Sequence, residues 1–177
     1  KDLDDPTRMR YTGQEYLKSE QEMAEAIQRY GDMVRRLCMV HLKNYAHTED
    51  IFQTVFLKYV LSSATFENEE HEKAWIIRVT VNACKDLIKS FFRSRTVSLD
   101  EVLEQPAPMA SQHREVLEAV LSLPPKYKDA VYLHYYEGYS VEEVGRLIGR
   151  KASTVQTQLA RGREQLKHIL QEEWSHE

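Results

Sequence analysis

Two cysteines, Cys38 and Cys84, are all that the sequence contains, and neither sits in a CxxC pair, so there is no disulfide framework and no zinc knuckle. They read as plain buried thiols. The seven histidines are scattered without HxxxH or HExxH spacing, and the glycine motifs that cradle phosphates, bind dinucleotides or expose a nucleophilic serine are missing. No metal, cofactor or catalytic residue is therefore expected, and the chain is not read as an enzyme. Glycine (6) and proline (5) are scarce in 177 residues, while Glu, Lys, Leu, Ala and Gln dominate the runs, which favours helix nearly everywhere. Long apolar runs are absent as well: charge interrupts every stretch, and Lys1 to Arg10 lacks the hydrophobic core of a signal peptide. A cytoplasmic address without membrane insertion is expected. With 42% hydrophobic and 29% charged residues the chain nonetheless has enough apolar material to fold.

A chain of this length makes one ordinary domain or two small ones, and two need a visible seam. Residues 94–112 supply it, since Ser, Gln, acid, Pro106 and Pro108 displace the helical periodicity there. The expected fold is all-α: a leader over 1–18, disordered or vector-derived because Met9 follows Lys1 to Arg8; a helical bundle over 19–93; a flexible linker over 94–112; and a helix-turn-helix domain over 113–172.

Within the bundle, Met23, Ile27, Tyr30, Val34 and Leu37 recur at helical spacing, and Gly31-Asp32 predicts a break between helices 19–30 and 32–43. Thr48 is a predicted N-cap with Glu49 and Asp50 in the first turn, ahead of an Ile51, Phe52, Val55, Phe56, Tyr59 and Val60 stripe. Leu61 to Glu72 reads as a loop, and Glu72 to Arg93 as a long helix. Beyond the seam, Leu123-Pro124-Pro125 ends a short helix, and Lys126 to Glu137 forms another, closed by Gly138. Ser140 with Glu143 is a capping box, Gly149 a C-terminal cap, and Ser153 with Gln156 a second box. Two helices, a tight turn and the small Gly145 at their crossing spell a helix-turn-helix, with Val155, Leu159, Gly162, Leu166 and Ile169 as the inner stripe of its second helix.

Net charge is −4, yet between Lys73 and Arg95 six basic residues face Asp86 alone, a local +5. Arg78, Asn82, Lys85, Lys89 and Arg93 share one helical face, with Trp75 at its end. Opposite them, Ile77, Val81, Cys84, Ile88 and Phe91 would bury the helix and leave the basic face exposed. A solvated face is the plain alternative. Phosphate contact, base stacking on Trp75 and base reading by the Asn82 amide are the functional one. In the second domain, Arg146, Arg150, Lys151, Arg161, Arg163 and Lys167 stand against Glu164. There Gln156, Thr157, Ala160 and Arg161 would face bases in a major groove, while Arg150 and Lys151 hold phosphates.

These residues, with Tyr30-Gly-Asp32, DIFQTVFLKYV (Asp50 to Val60), HEKAWIIRVTVNACKDLIKSFFR (His71 to Arg93), LPPKYKDAVYLHYYEGYSVEEVGRLIG (Leu123 to Gly149) and STVQTQLARGREQL (Ser153 to Leu166), resemble an extracytoplasmic-function sigma factor over roughly residues 20–170. The resemblance implies a subunit that binds core RNA polymerase, recognises promoter DNA and promotes strand opening. Asp50, Ile51, Gln53, Thr54 and Phe56 would then contact the β′ clamp helices. Asn68 and the loop from Phe66 to Glu72, with Trp75, Arg78, Asn82, Lys85, Lys89 and Arg93, would engage the minus-ten element. Arg150, Lys151, Ser153, Thr154, Gln156, Thr157 and Arg161 would read the minus-thirty-five element. The polymerase β flap and an anti-sigma factor are further partners it admits, and the linker would thread the RNA exit path. This chain departs from the family pattern at Gln156 and Gln158, where Lys or Arg is common, and in the acidic run Glu67 to Glu72. A one-component regulator with a ligand-sensing N-terminal domain, and a helical adaptor that never meets DNA, stand as rival readings.

Overall fold

A computed structural model describes residues 17–94 and 114–174, and all regular structure among them is helical. Three helices form the first domain: α1 (Glu20–Leu42), α2 (Tyr45–Leu61) and α3 (Glu69–Ser94). Ser19 starts α1 with a reciprocal capping box, its Oγ accepting from the Glu22 N–H while its own N–H donates to the Glu22 carboxylate at 2.7 Å. The expected break at Gly31-Asp32 does not occur. Gly31 is helical and buried, and a Cβ there would meet the Phe52 ring at 3.4 Å, ordinary van der Waals contact, so it is a packing position facing α2 rather than a turn. The helix ends at Lys43, whose backbone takes a left-handed conformation with φ 50°.

Asn44 caps α2, its Oδ1 accepting from the His47 N–H at 3.0 Å, so Thr48 is not the cap. Thr48 is instead buried one turn inside, 3.3 Å from the Met39 sulfur. Asn68 caps α3 in the same way, through His71 N–H at 2.9 Å, so Glu69 to Glu72 belong to the helix and the loop is only 62–68. The leader boundary shifts too: the Leu17 and Lys18 N–H groups donate to the Val60 carbonyl, which ties 17–18 to the domain. Residues 1–16, and all of the predicted linker beyond Ser94, lie outside the described residues.

Buried leucine, valine, isoleucine and phenylalanine side chains (Val34, Leu37, Val55, Phe56, Ile76, Ile77, Val81) fill the space between the three helices. The carboxylate of Glu72 joins the helices at one end. It accepts hydrogen bonds from Tyr59, from Tyr30 at 2.9 Å and from Arg29 at 3.3 Å. Burial pushes the Tyr30 hydroxyl up to about 12.

In the second domain α4 (Arg114–Ser122) stops before Pro124, and α5 (Pro125–Val131) runs on into a π-helical turn, Tyr132–Tyr136, closed by Gly138 at φ 78°. Next come α6 (Val141–Ile148) and α7 (Ala152–Trp174). The Ser140–Glu143 capping box and the Gly149 cap at φ 68° are both present, but α7 starts one residue before Ser153, so Ser153 lies in its first turn. Val131, Leu133, Val144, Val155 and Leu159 are the core here.

The two domains pack together, α5 and α4 on α1 and α6 on α3. At their junction Asp129 is 1% exposed, 3.4 Å from the Arg150 guanidinium and 4.0 Å from His41 Nε2. Position alone would make His41 and Asp129 an ion pair, but burial outweighs the carboxylate's pull and holds the imidazole's pKa below its ordinary value, which favours the neutral ring. Lys128 is buried beside them, and burial followed by the charge of Lys43 lowers its ammonium to about 8 against the opposing pull of Asp129. The unfolded chain binds that proton more tightly, so the penalty is complete below pH 8 and stability rises as pH climbs from 8 towards 10.5. Lys128→Met keeps the stem's packing and removes the charge. It is expected to stabilise the protein by about 1–3 kcal/mol at pH 7. Thermal melts at pH 7 and pH 10 check this; the gain should shrink at the higher pH.

Candidate nucleic-acid interface

The basic side chains of α3 divide into two groups. Lys89 and Arg93 are exposed near its C-terminal end, whereas Arg78, Asn82 and Lys85 are half-buried, Lys85 against the second domain. Lys85 Nζ donates to the Ile148 carbonyl at 3.4 Å, and burial lowers the pKa of both Lys85 and Arg78. The basic face expected to be fully exposed is thus half-buried over Arg78, Asn82 and Lys85, with the end of α6 against it at Lys85.

Trp75 also differs from its expected place at a groove edge. It is 3% exposed and lies beneath Phe66, with ring centroids 5.8 Å apart. Phe66 is itself stacked on Tyr59 and edge-on to His71, while Lys18 donates to the Ala64 carbonyl at 2.9 Å and covers the rings of Tyr59 and Phe66. The loop is therefore held over Trp75. Asn68 is exposed at the loop's end, its side-chain oxygen already used as the α3 cap.

In the second domain α6 and α7 cross at Gly145, where a Cβ would come within 2.6 Å of the Arg150 carbonyl oxygen. Lys151, Ser153, Thr154, Gln156, Thr157 and Arg161 all stand exposed around the first three turns of α7. The Thr157 hydroxyl donates to the Ser153 carbonyl at 3.1 Å. Arg150 does not stand free. Its guanidinium reaches Asp129, the Lys126 carbonyl at 3.2 Å and the Gln158 amide oxygen at 3.0 Å, so it clasps α5 to α7. That bond also accounts for Gln158, since a Lys or Arg there would repel Arg150.

On α2, Asp50 and Gln53 are exposed, with Thr54 half-buried and donating to the Asp50 carbonyl at 2.9 Å. Ile51 and Phe56, expected at a protein contact, are core residues at 6% and 1% exposure, because their stripe is the one that α1 and α3 cover. Their place on the outer face falls to Leu57, 48% exposed, and to Phe52, beside a groove of 610 Å³ that also takes in Met23, Ile27 and Gln53. The helix has apolar residues on more than one side, and that excess over a single stripe was the available signal.

Two family models match the chain: Sigma-70 region 2 over residues 26–95, and Sigma-70, region 4 over residues 113–166. The chain belongs to the extracytoplasmic-function sigma factors. Among its relatives, the ECF RNA polymerase sigma factor SigE of Mycolicibacterium smegmatis is 33% identical over 82% of this chain and 60% of that protein. SigW of Bacillus subtilis is 25% identical over 84% of this chain and 89% of the relative. The fold matches the sigma factor RpoE from Bartonella quintana, solved with the anti-sigma factor NepR, at TM-score 0.72 and 18% identity over 85% of this chain and 98% of that one. It also matches CnrH, solved with the cytosolic domain of CnrY, at TM-score 0.59 and 18% identity over 86% and 90%. In this sigma factor, then, α1 to α3 are the region 2 domain and α4 to α7 the region 4 domain, and α6 and α7 are its helix-turn-helix. No helix of its described residues is long and apolar enough to cross a membrane.

Proposed function

We propose that this sigma factor binds core RNA polymerase through the outer face of α2, reads a promoter with two separated elements and promotes strand opening at the downstream one. The observation that carries this is the pairing, in one chain, of an exposed polar reading edge on α7 with a basic face on α3. The polar edge suits duplex DNA in a major groove, and the basic face suits the backbone of unpaired DNA. Lys151 would hold phosphate while Gln156, Thr157 and Arg161 meet base edges, with Ser153 and Thr154 at the rim. Lys89 and Arg93, joined by Arg78, Asn82 and Lys85, would take the minus-ten strand. Trp75 supports Phe66 and the loop instead of stacking on a base itself. The β′ clamp helices would dock on Asp50, Gln53, Thr54 and Leu57, with the β flap holding region 4. An anti-sigma factor is the natural regulator, as for RpoE of Bartonella quintana, and the factor acts in the cytoplasm without catalysing a reaction of its own.

Run-off transcription tests the reading. The protein with core polymerase is expected to give a promoter-dependent transcript on fragments of its own genome, and Asp50→Arg with Gln53→Glu to abolish it. Those exposed changes should cost the fold no more than about 0.5 kcal/mol, so the thermal melt stays put while assembly fails. No transcript on any fragment, with the free protein footprinting a palindrome, would overturn the proposal in favour of a one-component regulator.

A further inference from the structure

The last turn of α2 has carbonyl groups without a partner inside the helix, and the chain ahead of α1 takes one of them up. The Leu17 and Lys18 N–H groups both donate to the Val60 carbonyl, at 3.0 Å and 3.3 Å. These bonds fix the backbone of Lys18 beside the end of α2, and the Ser19–Glu22 capping box fixes the turn that follows. The far end of the side chain is fixed too. Its Nζ donates to the Ala64 carbonyl at 2.9 Å and stands 5.2 Å and 5.4 Å from the ring centroids of Tyr59 and Phe66. Lys18 is thus a strap from α1 to the loop over 62–68.

The other hydrogen bonds of that loop are local. The Ser62 N–H donates to the Tyr59 carbonyl at 3.2 Å and the Ala64 N–H to Ser62 Oγ at 3.0 Å, while at the far end Glu67 N–H donates to His71 Nδ1 at 3.3 Å and Asn68 caps α3. Among the described residues, the Lys18 bond is the one hydrogen bond that reaches the loop from outside its own flanks, across 46 positions. Rings do the rest: Phe66 stacks on Tyr59 with centroids 6.2 Å apart and shields Trp75, which is 3% exposed. Stacked rings set a spacing but can slide, whereas a hydrogen bond to a carbonyl fixes a point.

We infer that Lys18 is a positioning residue for promoter opening: it holds Phe66 and the 62–68 loop over Trp75 in the arrangement that receives the unpaired strand. This rests on the reading, given above, that the loop meets the minus-ten element. A loop that must first find its place binds more weakly, by the fraction of molecules in which it is already there. The ammonium is spent on a carbonyl and two ring faces, so it acts through the loop and not as a phosphate contact.

The test uses the full chain with Lys18→Met, which keeps the stem and removes the ammonium, and with Lys18→Arg, which keeps a cationic donor. A Trp174→Phe background leaves Trp75 as the single tryptophan. All readings are taken below the melting transition of Lys18→Met. In the free chain, Lys18→Met is expected to raise acrylamide quenching of Trp75, and Lys18→Arg to leave it near the parent value. In the holoenzyme, on the promoter fragment found by run-off transcription, Lys18→Met should open the minus-ten segment about tenfold less well, with Lys18→Arg recovering most of the loss. That is the size expected from one hydrogen bond to a charged group. Binding to a fragment unpaired across that segment should keep its salt slope, since a lost phosphate contact would lower it by roughly one unit. A lowered slope overturns the inference, because Lys18 would then touch DNA itself. If quenching rises while opening is unchanged, the loop does not meet the strand, and the reading beneath falls with the inference. If quenching is unchanged while Phe66→Ala abolishes opening, the loop keeps its assignment and positioning by Lys18 alone fails.

Discussion

Gly145→Ala is expected to unfold the helix-turn-helix selectively and to abolish recognition of the upstream promoter element. The added methyl would sit 2.6 Å from the Arg150 carbonyl oxygen and 3.6 Å from the Ala152 nitrogen, both backbone atoms of the turn between α6 and α7. Neither can swing aside like a side chain. Relief requires the turn to move, and the turn is held by the Arg150 N–H bond to the Gly145 carbonyl at 2.9 Å and by the Arg150 clasp. Overpacking of this kind should cost about 2–3 kcal/mol, a large share of the stability of a small domain. Gly149→Ala is the control: its φ of 68° is strained for alanine, but nothing lies within 4 Å of the new Cβ. Thermal melts and binding to an upstream-element duplex should rank Gly145→Ala well below Gly149→Ala. Equal losses would mean that backbone conformation, and not the helix crossing, limits this motif.

The second large effect is expected at Glu72 of α3, whose carboxylate serves Arg29 and Tyr30 of α1 and Tyr59 of α2. Glu72→Ala strands the part-buried Tyr59 hydroxyl, while Tyr30 keeps the Glu69 carbonyl at 3.2 Å, and should destabilise region 2 by about 2 kcal/mol, since an unpaired buried group costs more than the bond was worth. Removing all three polar groups together, as Tyr30→Phe, Tyr59→Phe and Glu72→Leu, should cost less than Glu72→Ala alone. The check is a thermodynamic cycle built from melts of the single, double and triple variants. Additive losses would show that the three groups act independently and that the buried carboxylate is no hub. A functional consequence follows, because Tyr59 supports Phe66 above Trp75. Strand opening in the run-off assay should fall with Glu72→Ala even at temperatures where region 2 stays folded.

Some of this was legible without coordinates. The all-α class, the second-domain helices and the capped α6 were readable because their causes are local: hydrophobic period, a serine followed three residues later by glutamate, glycine past the last turn, proline before the next helix. Gly145 could be placed at a crossing for the same reason, since the turn is too short for any side chain there. The errors share one physical origin. Gly31-Asp32 and Thr48 look like local stop and start signals, but packing overrode them: the small Gly31 receives the Phe52 ring, and Thr48 is buried against Met39 with Asn44 left to cap. In a chain of amphipathic helices a stripe says which residues are apolar and not which neighbour takes them. Ile51 and Phe56 were therefore assigned to a partner when α1 and α3 already covered them, and Leu57 is the apolar residue that the helix leaves exposed.

By itself the sequence determined that this is an all-helical, two-domain protein with a basic helix in each half and the motif order of a sigma factor, because composition, period and caps act within a few residues. Only the tertiary structure decided which of those basic residues are exposed. Lys89, Arg93, Lys151 and Arg161 face outward, whereas Lys85 ends on a carbonyl of the other domain and Arg150 on Asp129. Such pairings join residues 21 to 64 positions apart: Arg150 meets Asp129 within region 4, Lys85 and Lys73 reach Ile148 and Glu137 across the domain junction, and tertiary packing, rather than any local preference, brings them within reach.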